Sequence, residues 1–198
     1  MAARADRNDA LAGLLAYPGA GWEEALRAGQ TLLDEESAPA ARDLADFRSR
    51  TADLSPGARE ELFTRTFDLD PSCCLEVGWH AFGEHYERGA FLVWVREGLQ
   101  RHGLAESSEL PDHLTHLLRL VGRMEPRAAE DLVADRVLPA LEKVRRTLEE
   151  RDNPYACLLR AIQTVLVGRY ASRPPRESAP ARGFPAGDPY AATAKVQP

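Results

Sequence analysis

Apolar residues recur along this chain at the spacing of an α-helix. Three segments in its second half carry an apolar residue at every third or fourth position, so that these side chains share one helical face. The positions are Leu114, Leu117, Leu118 and Val121, then Val137, Leu141, Val144 and Leu148, and finally Tyr155, Leu158, Leu159, Ile162, Val165 and Leu166. No alternating run bounded by a hairpin turn indicates a β-strand. The pattern predicts an all-α, single-domain helical bundle in which each apolar face packs against another helix.

Proline, glycine and capping residues divide the chain into roughly eight or nine predicted helices. Asn8 is expected to cap a first helix that ends before Pro18, and Ser55-Pro56 places an N-cap residue before a proline in the first turn. Gly83 and Gly103 are expected at helix C-termini. The remaining helices are predicted over residues 22–33, 39–54, 71–83 and 89–102 and from Pro111, Pro126 and Pro154. Only short connections are left between them.

The chain of 198 residues suits one helical domain, predicted over residues 1–171. The character of the sequence changes after that point. Residues 172–198 hold six of the chain's 14 prolines, mixed with alanine, glycine and charged residues, and show no helical period. We therefore expect a disordered tail over residues 172–198.

The charge balance bears on possible partners. Hydrophobic residues make up 44% of the chain and charged residues 28%, which is ordinary for a globular protein, and the net charge is −6. A general nucleic-acid binder needs a basic face to neutralise phosphates, so this class is not expected. A basic partner, such as an arginine-bearing peptide, is compatible with the acidic balance.

The cysteines and the apolar runs bear on the compartment. Cys73, Cys74 and Cys157 are odd in number, and the adjacent pair lies in a predicted helix, where one buried and one half-exposed thiol is expected. A reducing compartment suits them. Residues 1–10 lack the apolar core of a secretory signal, and the longest apolar run, residues 91–95, is far shorter than the ~18 residues of a membrane span. We expect a cytoplasmic protein, monomeric or weakly dimeric, without direct membrane insertion.

Catalytic and metal motifs are incomplete. Glu76, His80 and Glu84 are spaced four residues apart, which could place metal ligands on one helical face, but no second helix supplies the Glu-x-x-His pair of a di-metal centre. His113 and His116 lack the HExxH pattern of zinc enzymes, so a capping or solvated role is favoured. No GxSxG elbow or phosphate-binding loop is present. A non-enzyme is expected, and a helical metal-binding enzyme is kept as an alternative.

Two clusters are candidate binding surfaces. Residues 79–89 bring aromatic and charged side chains and two glycines between two predicted helices, and loops carry binding residues more often than helix interiors do. Residues 109–113 begin a predicted helix with a proline in the first turn and Asp112 near the positive end of the helix dipole. This capping role leaves Glu109 unexplained. The two clusters gather Glu84, Glu109 and Asp112 at helix ends, where we expect the carboxylates to project freely.

Five short strings carry a resemblance to a known family over about residues 9–168. In chain order they are Leu14-Leu15-Ala16-Tyr17-Pro18, Thr66-Phe67-Asp68-Leu69-Asp70, His80-x-x-Gly83-Glu84 with Arg88-Gly89, Glu109-Leu110-Pro111-Asp112-His113-Leu114, and Asn153-Pro154-Tyr155-Ala156. Their order and spacing resemble the NarJ-type assembly chaperones, the delta-subunit chaperones of respiratory nitrate reductase within the broader TorD-like group. Nitrate-type members usually carry Gly-Asp at the position of Gly83-Glu84, so the client is expected to be nitrate reductase or a relative.

The resemblance implies an all-helical cytoplasmic protein that is not an enzyme. Members of the family bind the N-terminal leader of a molybdoenzyme catalytic subunit and hold that subunit until the molybdenum cofactor is inserted. The client carries the cofactor, and no tightly bound cofactor or metal is expected on this chain. A helical interaction or regulatory subunit on the same scaffold remains a further alternative, because a fold does not imply a function.

A leader that forms an amphipathic helix needs an apolar groove with carboxylates at its rim, which bind the leader's basic side chains. We expect Glu84, Glu109 and Asp112 at that rim, and Trp79 and Tyr86 as walls. Exchange of the three carboxylates for lysine is then expected to weaken leader binding with little change in thermal stability. The full set of predicted partner-binding residues is Trp79, His80, Glu84, Tyr86, Arg88, Glu109, Asp112 and His113.

Overall fold

The computed structural model describes residues 2–170, and the tail predicted over residues 172–198 lies outside this range. The helices are α1 Ala2–Gly13, α2 Trp22–Glu36, α3 Ala38–Thr51, α4 Pro56–Phe63, α5 Val77–Phe82, α6 Tyr86–Arg101, α7 Leu114–Val121, α8 Pro126–Leu132, α9 Leu138–Glu150 and α10 Tyr155–Tyr170. Strand-like pairing within the described residues is confined to one isolated antiparallel bridge between Glu76 and His113. The predicted all-α fold is confirmed.

Helix α10 runs through the centre of the bundle. Ten of its 16 residues are buried, and they point in all directions around the helix axis, as expected of a helix enclosed by others. It packs against α3 and α9, and α2 packs beside α3. The ring of Tyr155 lies 4.8–6.0 Å from the rings of Phe47, Phe63 and Phe67, measured between centroids. No helix within residues 2–170 is long and apolar enough to cross a membrane.

Helix α1 packs against α7 and α2 and carries Asn8 in its interior. The side chain of Asn8 is fully buried. Its Nδ2 donates to the carbonyl oxygen of Leu118 at 2.9 Å, and its Oδ1 accepts hydrogen bonds from Arg169 at 2.7 Å and from the Tyr170 hydroxyl at 3.3 Å. The predicted N-cap role of Asn8 is therefore wrong. The residue joins three helices that are far apart in sequence, which local patterns do not reveal.

Several predicted helix ends are confirmed by the geometry of their caps. The Ser55 side chain accepts a hydrogen bond from the Ala58 backbone N–H at 3.3 Å, as expected of the N-cap of α4. Gly83 follows α5 with φ +59°, and Gly103 follows α6 with φ +65°. Both are in the left-handed region that glycine adopts most readily, so each ends its helix without strain.

Two helices continue into π-helical turns, at Thr64–Asp68 after α4 and at Val133–Val137 between α8 and α9. A π turn adds one residue to the helical repeat and thereby changes which side chains face the core. In the first of these turns Phe67 is buried and Asp68 is exposed. The turn therefore presents a carboxylate next to the aromatic core. Periodicity alone did not predict either turn.

The helices predicted from Pro71 and Pro111 begin later than expected. The segment before α5 is irregular up to Glu76, and the segment before α7 is irregular up to His113. The two segments instead pair with each other at the isolated bridge. Cys73 and Cys74 consequently lie outside any helix, although one thiol is buried and the other half-buried, as predicted. Proline marks the general region in which a helix begins, and the long-range pairing determines the residue at which α5 and α7 start.

Candidate functional site

An open cleft of about 280 Å³ lies where the first π turn, the start of α5 and the segment before α7 meet. We call it the acidic cleft. Its lining residues are Phe67, Asp68, Pro71, Cys74, Leu75, Glu76, Trp79, Arg88, Glu109, Leu110 and His113. They come from the first π turn, the segment before α5, α5 itself, α6 and the segment before α7. Three of the five strings that carry the family resemblance contribute to them.

The floor of the acidic cleft is formed by pairing between residues 75–77 and residues 112–114. The Val77 N–H donates to the Asp112 carbonyl at 3.0 Å, and the Leu114 N–H donates to the Leu75 carbonyl at 2.9 Å. Each bond satisfies a backbone group at a helix start that the helix itself leaves without a partner. The pairing therefore holds the first residues of α5 and α7 together.

Asp112 lies beneath the cleft and not on its rim. Its side chain is fully buried, with Oδ2 accepting from Nε of Arg88 at 3.3 Å and Oδ1 left without a hydrogen-bond partner. Burial raises the pKa of Asp112, although the nearby Arg88 charge opposes this effect. A Cβ atom on Gly78 would lie 2.4 Å from the Asp112 carboxylate. The site therefore requires a glycine at position 78 to make room for the buried ion pair.

Two buried histidines shape the segment before α7. Nδ1 of His113 accepts from the Thr115 backbone N–H at 3.3 Å, which makes His113 the N-cap of the helix. His116 accepts from the Ser107 N–H at 3.0 Å through Nε2, and its Nδ1 lies 2.9 Å from the Leu110 carbonyl oxygen. Burial lowers the pKa of His113 to about 4, so the ring is neutral at pH 7. Of the capping or solvated role predicted for the two histidines, His113 takes the capping role, whereas His116 is buried within α7 and is neither a cap nor solvated. Together the histidines brace the segment that carries Glu109.

The π turn on the opposite side of the cleft is held by the connection between α9 and α10. Nδ2 of Asn153 donates to the Thr66 hydroxyl at 2.8 Å, and Arg151 forms an ion pair with Asp70. Hydrogen bonds from Ser72 and from Arg151 lower the pKa of Asp70 to about 2. Asp70 is thus ionised at neutral pH, and it anchors the segment next to Asp68 and is not available to a ligand.

Three carboxylates face the acidic cleft: Asp68, Glu76 and Glu109. None of them forms an ion pair with another residue in the range 2–170. Desolvation, followed by the negative charges of Asp68 and Glu76, raises the pKa of Glu109. The cation that also lines the cleft, Arg88, is already paired with Asp112. The cleft therefore concentrates negative charge and favours a cationic ligand.

Apolar side chains stand beside these carboxylates. Phe67 and Leu75 are buried at the base of the cleft, and Leu110 is 46% exposed at its edge. The half-buried indole of Trp79 lies under the Arg88 guanidinium, 5.5 Å from its central carbon to the ring centroid. A ligand with a basic group next to an apolar group would match both kinds of surface.

The acidic cleft unites four of the eight predicted partner-binding residues, and the others lie elsewhere. Trp79, Arg88, Glu109 and His113 line it, and Asp112 supports it from below. Exposed Glu84, half-buried His80 and Tyr86, which is 90% exposed, do not line it. The expected free projection of Asp112 is wrong, because pairing of residues 112–114 with residues 75–77 buries it. Tyr86 is not a wall of this cleft.

Asp68, Glu76 and Gly78 were missed as site residues. The string Thr66-Phe67-Asp68-Leu69-Asp70 gave a signal for Asp68, since it is one of the five strings that carry the resemblance. Glu76 was weighed only as a metal ligand with His80 and Glu84. In the structure His80 lies 2.8 Å from the Cys74 carbonyl through Nε2, and within residues 2–170 no three His, Cys, Asp or Glu side chains are grouped to hold a metal.

A larger cavity of about 460 Å³ lies between α2, α3 and α4 and contains none of the predicted site residues. The Arg59 guanidinium lies 4.3 Å from the centroid of the Trp22 ring and forms an ion pair with Glu23 at 2.8 Å. Glu23 therefore neutralises Arg59, and Arg48, which also lines the cavity, leaves it with a positive charge that does not favour a basic ligand. The acidic cleft has three carboxylates without such partners within residues 2–170, and it is therefore the candidate functional site.

Comparison with known proteins identifies the family of this chain. The family model described as nitrate reductase delta subunit matches residues 30–160, a range that contains every residue lining the acidic cleft. A protein of Bacillus subtilis (strain 168), named probable nitrate reductase molybdenum cofactor assembly chaperone NarJ, is 31% identical over 159 residues. The alignment covers 79% of this chain and 86% of the Bacillus protein.

Proposed function

Because the chain belongs to the nitrate reductase delta subunit family, we propose that it is an assembly chaperone for a molybdenum oxidoreductase. On this proposal it binds the N-terminal leader of the catalytic subunit of nitrate reductase, or of a relative, and assists insertion of the molybdenum cofactor. It acts in the cytoplasm as a monomer or weak dimer, without catalysing a reaction and without a tightly bound cofactor of its own.

The observation that carries this proposal is the set of unpaired carboxylates in the acidic cleft. Asp68, Glu76 and Glu109 converge on one opening without an ion-pair partner from the described part of the chain. Gathering like charges is unfavourable for the free protein, so the arrangement is suited to a cationic partner. A guanidinium group can donate hydrogen bonds to two such carboxylates at once through its planar set of N–H groups.

The apolar part of the cleft explains why the partner is expected to be a peptide helix and not a free cation. An amphipathic helix presents apolar side chains three and four residues apart, with basic residues beside them. Apolar leader side chains would pack on Leu110 and Trp79, and an adjacent arginine would reach Glu76 and Glu109. Asp112 and Arg88 hold the floor of the cleft and set the positions of these groups.

Calorimetric titration with the leader peptide of the client tests this proposal. The variant Asp68→Asn, Glu76→Gln, Glu109→Gln removes the charge of the cleft and keeps the shape of each side chain. Breaking partly desolvated pairs to arginine costs roughly 2–5 kcal/mol, so the affinity should fall by about tenfold or more.

The matched control removes three exposed carboxylates that form no ion pair within residues 2–170: Glu35→Gln, Glu84→Gln, Glu87→Gln. It makes the same change in net charge, and its affinity should remain near that of the wild type. Equal affinities in the wild type and the cleft variant would contradict binding at the acidic cleft. A loss confined to the control would place the leader near Glu84 instead.

A further inference from the structure

We propose that the C-terminal segment of the chain, residues 171–198, is itself a ligand of the acidic cleft and competes with the client leader. The docking of this segment is argued from its charge, the order of its residues and the distance it can span. The competition with the leader rests on the proposed function. The segment would then occupy the cleft in the free chaperone, and the client leader would compete for the same site.

The first argument is charge complementarity. The C-terminal segment carries Arg173, Arg176, Arg182 and Lys195 against Glu177 and Asp188, which gives it a net charge of +2, although the whole chain carries −6. Residues 1–170 therefore carry a net charge of −8. The acidic cleft offers three carboxylates that form no ion pair within residues 2–170, because Arg88 is paired with Asp112. The segment's arginines are chemically the same groups that the cleft is proposed to bind in a leader.

The second argument is the order of residues in the segment. Arg182-Gly183-Phe184 places an aromatic side chain two residues from a guanidinium group. The acidic cleft likewise places apolar surface, at Leu110 and Trp79, beside Glu76 and Glu109. Arg182 in contact with the carboxylates and Phe184 on the apolar edge would satisfy both halves of the cleft.

The third argument is reach. Tyr170, the last residue of α10, hydrogen-bonds to Asn8, which also bonds to the carbonyl of Leu118. Leu118 is five residues along α7 from His113 of the cleft, a rise of about 7.5 Å, so Tyr170 lies on the order of 20 Å from the cleft. Twelve residues separate Tyr170 from Arg182, and an extended chain of that length spans up to roughly 40 Å.

Tethering makes weak binding sufficient. A ligand attached within reach of its site has an effective concentration on the order of 1 mM. A segment that bound with Kd of about 0.2 mM would therefore occupy the cleft in about five molecules of six and lower leader affinity about sixfold, because the leader binds only the open fraction.

Photo-crosslinking in the full chain tests the docking without any leader. With Phe184→p-benzoylphenylalanine, irradiation should give crosslinks to the edge of the cleft at Leu110 and Trp79. The yield should not depend on protein concentration, and it should drop severalfold when Glu76→Gln and Glu109→Gln are added. Crosslinks to other surfaces, no crosslink, or a yield that rises with concentration because a second copy is captured would each overturn the proposal.

Titration with the client leader then tests the competition. The full-length variant Arg173→Ala, Arg176→Ala, Arg182→Ala should bind the leader about threefold or more tightly than the wild type. The control Arg42→Ala, Arg101→Ala, Arg127→Ala removes the same charge from exposed positions without ion pairs within residues 2–170 and should not bind more tightly. Equal affinities of the wild type and the segment variant would refute the competition.

The two proposals fail in distinguishable ways. If no protein in this series binds the leader, the proposed function is wrong, and the crosslinks still decide whether the segment docks. If the leader binds at the acidic cleft and the crosslinks are absent, the proposed function stands and this inference is wrong.

Discussion

The core around α10 and the acidic cleft are held together by different kinds of interaction. In the core, α10 packs against α3 and α9 through apolar faces, and any one side chain, such as Leu159, contributes through contact area alone. The cleft instead depends on a buried carboxylate, Asp112, and on two buried histidines, His113 at the N-cap of α7 and His116 in its first turn. Burial of such groups is favourable only while each keeps its partners.

The difference separates what each region supplies. The core provides most of the stability, and many of its apolar side chains can be exchanged for others of similar volume at little cost in free energy of unfolding. In the cleft, burial of polar groups lowers the stability somewhat, and these groups hold Asp68, Glu76 and Glu109 around one opening. Substitutions in the core should therefore change mainly the stability, and substitutions of the carboxylates that face the cleft should change mainly the affinity for the leader.

The largest effect is expected at Asp112. The substitution Asp112→Lys removes the partner of Arg88 and places a second cation in a fully buried position against Gly78. Breaking a buried pair in this way costs about 3–5 kcal/mol of unfolding free energy, measured by urea denaturation. Glu109→Lys, at an exposed position, should change it by less than about 0.5 kcal/mol. Equal small effects would show that Asp112 is not buried.

In the core, Leu159→Ala should lower the free energy of unfolding by about 2–5 kcal/mol, because a fully buried leucine leaves a cavity when truncated. The leader affinity of the folded variant, measured well below its transition temperature, should stay within about twofold of the wild type. A strong loss of leader affinity together with a small loss of stability would contradict the claim that the core supplies stability and the cleft supplies leader binding.

The pH dependence of stability should report His113. Its pKa is lowered from 6.5 to about 4 on folding, so the unfolded state binds the proton first as the pH falls. The stability due to neutral His113 is therefore complete above pH 6.5 and is lost between pH 6.5 and pH 4, by about 3 kcal/mol. His113→Asn keeps a capping acceptor without a titrating ring. Urea denaturation between pH 6.5 and pH 4 should show a smaller loss of unfolding free energy for the variant than for the wild type. The same pH dependence in both proteins would contradict the role of His113.

A smaller effect is expected from two glycines that are both helical. Gly78→Ala brings a Cβ against the Asp112 carboxylate and should cost about 1–3 kcal/mol. Gly89 lies on an exposed face of α6, where an added Cβ would meet no neighbouring atom within 4 Å. Gly89→Ala should therefore raise the free energy of unfolding by up to about 1 kcal/mol. Thermal denaturation of the two variants should move in opposite directions. The same sign for both would mean that the floor of the cleft can shift to accept a methyl group.

The two regions also differed in how far the sequence predicted them. Apolar periodicity was sufficient for α7, α9 and α10, since each buries one face or all faces against neighbouring helices. Ser55, Gly83 and Gly103 marked helix ends because their capping roles depend on local geometry. Asn8 was misplaced because its partners, Leu118 and Arg169, are more than 100 residues away.

Among the residues that line the cleft, sequence reasoning predicted Trp79 from the cluster at residues 79–89, and Arg88, Glu109 and His113 also lie in strings that resemble a known family. It placed Asp112 on the surface because a carboxylate after Pro111 is a common helix start, and pairing with residues 75–77 is not visible in either segment alone. Asp68 faces the cleft through a π turn, which shifts the helical register by one residue. No period of 3.6 residues could show that shift.

The position of the bound leader tests the central claim most directly. A crystal structure of the full chain with the client leader should show a basic side chain of a helical peptide within hydrogen-bonding distance of Glu76 and Glu109, with apolar neighbours on Leu110 and Trp79. A leader bound in the cavity between α2, α3 and α4, next to Trp22 and Arg59, would contradict the account and leave the acidic cleft without its proposed ligand.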